Sequence, residues 1–193
     1  MKRIILTDRD KQIIEFLNDF KCATTTAIAN MFFNRSLRPT QRRLKYLREH
    51  GYIKSYQANI LSENIHYIKK RPSQLQHSLI LSSFISELKK SDIEILKYKV
   101  SYKLENIIAD CFLAVRYKDK NHIYFIECEN TKSFNLSKYE ELYFNRKWKE
   151  VFPIFPGIIV ISDRVVKKSN SFNVIDIKLD FRDIDNLLKS FLV

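Results

Sequence analysis

Apolar residues return at helical intervals through the first part of the chain and at alternating intervals through much of the rest. Ile13, Ile14, Leu17 and Phe20, behind the capping-type run Thr7-Asp8-Arg9-Asp10, predict a first helix. Thr24, Thr25 and Thr26 open a second, with Ala27, Ile28 and Met31 on one side and an end near Phe33. A third holds Pro39 in its first turn, carries Leu44 and Leu47 inward and stops before Gly51, a residue favoured just past a helix end. Two β-leaning runs in YIKSYQANILSENIHYIKK flank the turn-prone Ser62, Glu63 and Asn64 and predict a hairpin.

Beyond Pro72, the spacing of Leu75, Leu79, Phe84, Ile85 and Leu88 predicts a linking helix over about 74–90. IEILKYKV, IIADCFLAVRY and HIYFIECE read as three strands and LSKYEELYFNRKWKEVF as one helix. GIIVIS and FNVIDIKL read as strands, and FRDIDNLLKSFLV as a closing helix. Three helices followed by a hairpin make a winged helix-turn-helix, assigned to residues 1–71. Residues 72–193 mix strands and helices, so the fold class expected is α/β (α+β).

Charge narrows the function. Across 193 residues, 34 Lys and Arg stand against 22 Asp and Glu, a formal net charge of +12. That surplus favours a polyanionic partner, and double-stranded DNA is the first candidate. No run reaches the ~18 apolar residues that spanning a bilayer needs, and MKRIILTDRD lacks the apolar core of a signal peptide. A cytoplasmic protein without membrane insertion is expected. Cys22, Cys111 and Cys128 are widely spaced, with no CxxC, which predicts buried free thiols. Two glycines cannot supply a phosphate-cradling loop, and no Ser sits in a GxSxG elbow.

The positive charge is densest on the third helix. With Leu44 and Leu47 facing the core, Arg38, Gln41, Arg42 and Lys45 fall on the opposite face, where a helix entering a DNA groove carries its contacts. Arg43 and Arg48 lie at the margins of that face, and Lys69 and Lys70 close the hairpin as further candidate phosphate contacts.

The second half holds Asp110 within one predicted strand and Glu127 near the end of the next. A helix, three strands, a helix and a strand, with Asp followed by a Glu-x-Lys-like segment, resembles the PD-(D/E)xK nuclease fold. That resemblance makes Asp110 and Glu127 candidate catalytic residues and ligands of magnesium or manganese. Its lysine position is held by Glu129, and an anion there opposes the charge that develops on the attacked phosphate. Binding without cleavage, and without a cofactor, is therefore the expectation; Lys132 or Lys138 reaching back would restore the enzyme reading. Glu87 is a further acidic candidate on the preceding helix.

Three segments, Leu6 to Leu17, Thr25 to Phe33 and Arg42 to Ile53, resemble the helices of winged helix-turn-helix transcription factors and plasmid proteins. Taken with Leu75-Gln76-His77-Ser78-Leu79, Ala109-Asp110, Glu127, Glu129, Lys138 and Tyr139, nearly the whole chain resembles the replication-relaxation proteins of plasmids and conjugative elements. This chain departs from that family in having Glu129 where an aspartate is common, and Ala-Asp where Pro-Asp is usual. The resemblance implies DNA binding in plasmid replication, conjugative transfer or its regulation, with a relaxase or replication proteins as candidate partners and a homodimer as the candidate assembly. It does not imply nicking, because no His-hydrophobe-His motif occurs among His50, His66, His77 and His122. A metal-dependent endonuclease or nickase accessory, and a transcriptional repressor whose second half binds a ligand or a protein, stand as alternatives. His77 reads as a helix cap or packing residue, and Tyr139, Tyr143, Phe144 and Trp148 as packing aromatics.

Overall fold

The computed structural model describes residues 5–129 and 133–191. They form two compact units that divide between Asp92 and Ile93. Among the described residues the fold is a mixture of six α-helices, an antiparallel sheet and a mixed sheet, in keeping with the α+β expectation.

In the first unit α1 (Asp8–Phe20) begins where Thr7 predicts. The Asp10 N–H donates to Thr7 Oγ1 at 3.3 Å and the Thr7 N–H donates to Asp10 Oδ2 at 2.7 Å, a reciprocal cap that satisfies two otherwise orphaned donors. A two-residue strand, β1 (Ala23–Thr24), follows, too short for any periodicity to announce it. Thr24 then caps α2 (Thr25–Phe32), its hydroxyl accepting the Ala27 N–H at 3.1 Å. Next comes α3 (Leu37–Glu49), with Gly51 just past its C-cap His50; the φ of +77° there is open to glycine at little cost. The hairpin is β2 (Lys54–Tyr56) and β3 (Ile65–Tyr67), and β1 adds to it in the order β1-β3-β2, all antiparallel.

The helix read as a link, α4 (Leu75–Lys90), packs against α2, β1 and α1, so it belongs to this unit although the sequence division at 71/72 gives it to the other half. The reason is its apolar stripe. Leu81, Phe84, Ile85 and Leu88 are buried in the unit that also buries Ile13, Phe16, Leu17, Phe20, Ile28, Leu44 and Leu47. Each such side chain contributes roughly 1.5–3 kcal/mol of burial, so the helix stays where that area is covered.

The second unit is built on one sheet in the order β4-β5-β6-β7-β8. The strands β4 (Glu94–Leu104), β5 (Ile107–Tyr117) and β6 (Lys120–Cys128) run as an antiparallel meander. After α5 (Leu136–Asn145), β7 (Gly157–Ile161) pairs parallel to β6 and β8 (Val174–Ile177) parallel to β7; α6 (Asp185–Ser190) follows. The single helix expected through Phe152 stops at Asn145. Arg146 takes a left-handed conformation, and a 3-10 turn over Lys147–Glu150 folds the chain back. The turn lets Trp148 and Phe152 join Phe112, Phe125, Tyr139 and Leu142 in one aromatic core, with the Trp148 indole N–H satisfied by the Tyr143 carbonyl at 3.1 Å. Packing of these rings outweighs the helix propensity of the segment. Phe144 stays exposed, and the closing helix is shorter than expected because Phe181 to Ile184 form turns first.

Candidate nucleic-acid interface and acidic pair

The face of α3 follows from its sequence. Thr40, Leu44 and Leu47 are buried, whereas Arg38, Gln41, Arg42, Lys45 and Arg48 are exposed. Arg48 leans onto the hairpin, its guanidinium donating to Ser55 Oγ at 3.0 Å, and Lys45 lies 3.8 Å from Glu49 at the surface. An open groove of about 860 Å³ runs beside this face, lined by Arg9, Phe33, Pro39, Arg42 and Tyr46 among others. Arg9 stands 4.8 Å from the Phe33 ring centroid. It adds a cation beside Arg42 that the helical pattern of α3 could not announce, since it comes from the first turn of α1.

Arg43 is a correction to the sequence reading. Its Nε donates to Asp10 Oδ1 at 2.7 Å and its Nη2 to Asp10 Oδ2, so the guanidinium is committed to a carboxylate that is wholly buried. Burial alone raises the pKa of Asp10, but the hydrogen bonds from Arg43 and Thr7 outweigh it and hold the carboxyl below its ordinary value. Arg43 therefore orients α3 on α1 and is not left over for a phosphate. Lys69 and Lys70 are exposed beyond β3, and the Lys69 carbonyl accepts from Lys54 Nζ at 3.0 Å.

In the second unit the β5–β6 ladder runs to Cys111 opposite Ile126, and one further step of the same register sets Asp110 across from Glu127. Asp110 Oδ2 accepts the Cys128 N–H at 2.8 Å, and the Tyr139 hydroxyl on α5 donates to Glu127 Oε1. Burial, reinforced by the Glu127 charge, pushes the Tyr139 hydroxyl far up, so it stays a donor. The Cys128 thiol is also pushed up, by burial first and then by Asp110 and Glu127, which leaves it unreactive. Cys22 and Cys111 are buried thiols outside any disulfide, as the odd count and wide spacing predict, and Cys128 is a half-buried thiol.

Glu129 needs the second correction. It is only 8% exposed, its Oε2 accepts from Ser162 Oγ at 2.7 Å and its Oε1 from the Phe134 N–H. Ser162 Oγ in turn accepts the Arg164 N–H at 3.0 Å. Glu129 thus braces the chain after β6 to the end of β7, and is not an anion presented beside the pair. Two carboxylates on neighbouring strands suit a hard divalent cation, but the position from which the nuclease lysine would act is closed into this brace. The residues fit the metal-binding half of that chemistry and not the water-activating half. Lys138 is exposed on α5, and Lys132 lies outside the described residues. Glu87 pairs with Lys90 at 2.9 Å on α4. His77 sits half-buried in the first turn of α4, whose N-cap is Gln74.

The chain matches no family model, no curated protein and no solved structure. No helix among the described residues is long and apolar enough to cross a membrane. The functional reading rests on the geometry of these two sites.

Proposed function

We propose that the chain is a double-stranded DNA-binding protein of a plasmid or other mobile element, acting in the cytoplasm in replication, conjugative transfer or their regulation. The first unit is a winged helix-turn-helix in this reading, with α3 in the major groove and the β2–β3 hairpin as the wing. The observation that carries it is the division of labour on α3. Arg43 is spent inside the fold, while Arg38, Gln41, Arg42 and Lys45 remain exposed on one face of a helix about 20 Å long, which a groove about 12 Å wide admits. Arg and Gln are side chains that read base edges bidentately, and Lys adds phosphate contact. The second unit serves in this reading as a restriction-endonuclease-like scaffold for a second copy or for a relaxase or replication protein.

A second reading is favoured by one observation: the Asp110 and Glu127 strands are neighbours, as a metal-dependent nuclease accessory requires. Incubating the protein with supercoiled and linear duplex DNA, with and without manganese, separates the two. A salt-sensitive mobility shift without cutting supports binding alone. Manganese-dependent nicking that is lost in both Asp110→Ala and Glu127→Ala gives the lead to the nuclease.

A further inference from the structure

The tip of the β2–β3 hairpin carries two aliphatic side chains in full contact with water. Ile60 is 94% and Leu61 97% exposed, although their neighbours Asn59 and Ser62 are the polar residues that turns ordinarily use. Leaving both in water forgoes the burial that aliphatic side chains ordinarily gain on folding, a cost that a polar tip would avoid.

The tip is also built. The Leu61 N–H donates to Asn59 Oδ1 at 3.0 Å, the Ser62 N–H donates to the Asn59 carbonyl at 3.0 Å, and Gln57 Nε2 donates to the Ile60 and Ser62 carbonyls at 3.2 and 2.7 Å. Its base is tied to α2, where the Thr25 N–H donates to the Asn64 carbonyl at 3.2 Å and the Thr26 N–H to the Glu63 carboxylate. With the backbone engaged in this way, the two side chains are presented rather than tucked in.

The hairpin that carries this tip is cationic at its opposite end. Lys54, Lys69, Lys70 and Arg71 are exposed at the open end of the hairpin, and the carboxylate of Glu63 is occupied by α2. The Arg48 to Ser55 hydrogen bond joins the hairpin to the last turn of α3. An occupant must offer negative charge and an apolar slot together. A bilayer fits poorly, because Ile60 and Leu61 together carry fewer apolar carbons than one myristoyl chain, whose membrane binding is already marginal. Duplex DNA offers both, since apolar side chains entering the minor groove part a base step that phosphates flank.

We infer that Ile60 and Leu61 form a wedge that enters the minor groove of duplex DNA, partly unstacks a base step and bends the duplex. This rests on the DNA-binding reading above. Flexible pyrimidine–purine steps are the sites that yield most readily, so the wedge gives the protein a preference for TA or CA steps without hydrogen bonds to bases.

The test uses the full chain and a roughly 30-bp duplex with a central TA step and a fluorophore pair at its ends, a length that stays stiff unless kinked. Wild type is expected to raise energy transfer on binding. Ile60→Ser combined with Leu61→Ser is expected to bind within about tenfold of wild type, with the salt dependence retained and the rise in energy transfer gone. Both side chains are exposed, so an unchanged thermal midpoint certifies that the variant is folded. A variant that bends the duplex like wild type overturns the wedge, as does wild type that binds without bending; both leave the DNA-binding reading standing. Wild type that shifts no duplex at low salt overturns both, and so does capture by phosphatidylserine vesicles in its place.

Discussion

Arg43 on α3 grips Asp10 on α1 through two parallel hydrogen bonds, and the carboxylate it grips is wholly buried. That pair fixes the roll of α3 about its axis and thereby decides which residues face outward. Asp10→Ala removes the ion pair and the reciprocal cap with Thr7 at once, and is expected to destabilise the first unit by about 2–4 kcal/mol. Urea unfolding followed by helical circular dichroism measures it. The double variant with Arg43→Ala should lose clearly less than the sum of the single losses, with a coupling of about 1–3 kcal/mol. Additive losses would show that the two residues act independently. Because the Asp10 pKa is held below that of an unfolded aspartate, its contribution is present above the unfolded value and lost as pH falls through the folded one.

His66 sets a second pH dependence. It is buried on β3, its Nε2 lies 3.0 Å from Thr25 Oγ1, and burial, with the Arg48 charge adding to it, lowers its pKa from 6.5 to about 4. The folded protein keeps the ring neutral while the unfolded chain takes up a proton, so this contribution is complete above the unfolded pKa. Stability is expected to fall by up to about 3 kcal/mol as pH drops from 6.5 to 4, with no further loss from this residue below that. His66→Gln should flatten the fall between pH 7 and 5; an unchanged slope would assign it to other groups.

Restoring the nuclease lysine at position 129 should fail. Glu129→Lys places an ammonium group where the Ser162 hydroxyl and the Phe134 N–H now donate to a carboxylate, in a site that is 8% exposed. A loss of about 3–5 kcal/mol from the second unit is expected, without manganese-dependent cleavage. Trp148, the sole tryptophan of the chain, reports that unfolding by fluorescence. A stable variant that cuts DNA would contradict the assignment of Glu129 as a brace.

Tyr139→Phe removes the donor to Glu127 while keeping the ring in the aromatic core. The expected cost is about 1–3 kcal/mol, read by the same fluorescence. A neutral effect would mean that Glu127 finds its partners elsewhere.

What could be read from the chain alone divides along physical lines. Thr7, Pro39 and Gly51 act within a turn of themselves, and the helix ends they mark are where they fall in the structure. Strand alternation placed β4 to β8, and with them Asp110 and Glu127 on neighbouring strands. The roles of Arg43 and Glu129 were hidden because their partners lie far along the chain, Asp10 in one case and Ser162 in the other. The early stop of α5 was hidden for the same reason: it answers to where Trp148 and Phe152 find their core, and not to local propensity. β1 has two residues and only its pairing with β3 defines it.

The central claim is that the exposed face of α3 holds DNA. Its most direct test is the salt dependence of duplex binding, by fluorescence anisotropy, for wild type and for Arg38→Ala combined with Arg42→Ala, both exposed residues whose loss leaves the Arg43–Asp10 pair in place. The account predicts weaker binding and a log–log salt slope shallower by roughly one unit for each phosphate contact removed. Equal affinity and an equal slope in the folded variant would contradict it and move the DNA site away from α3.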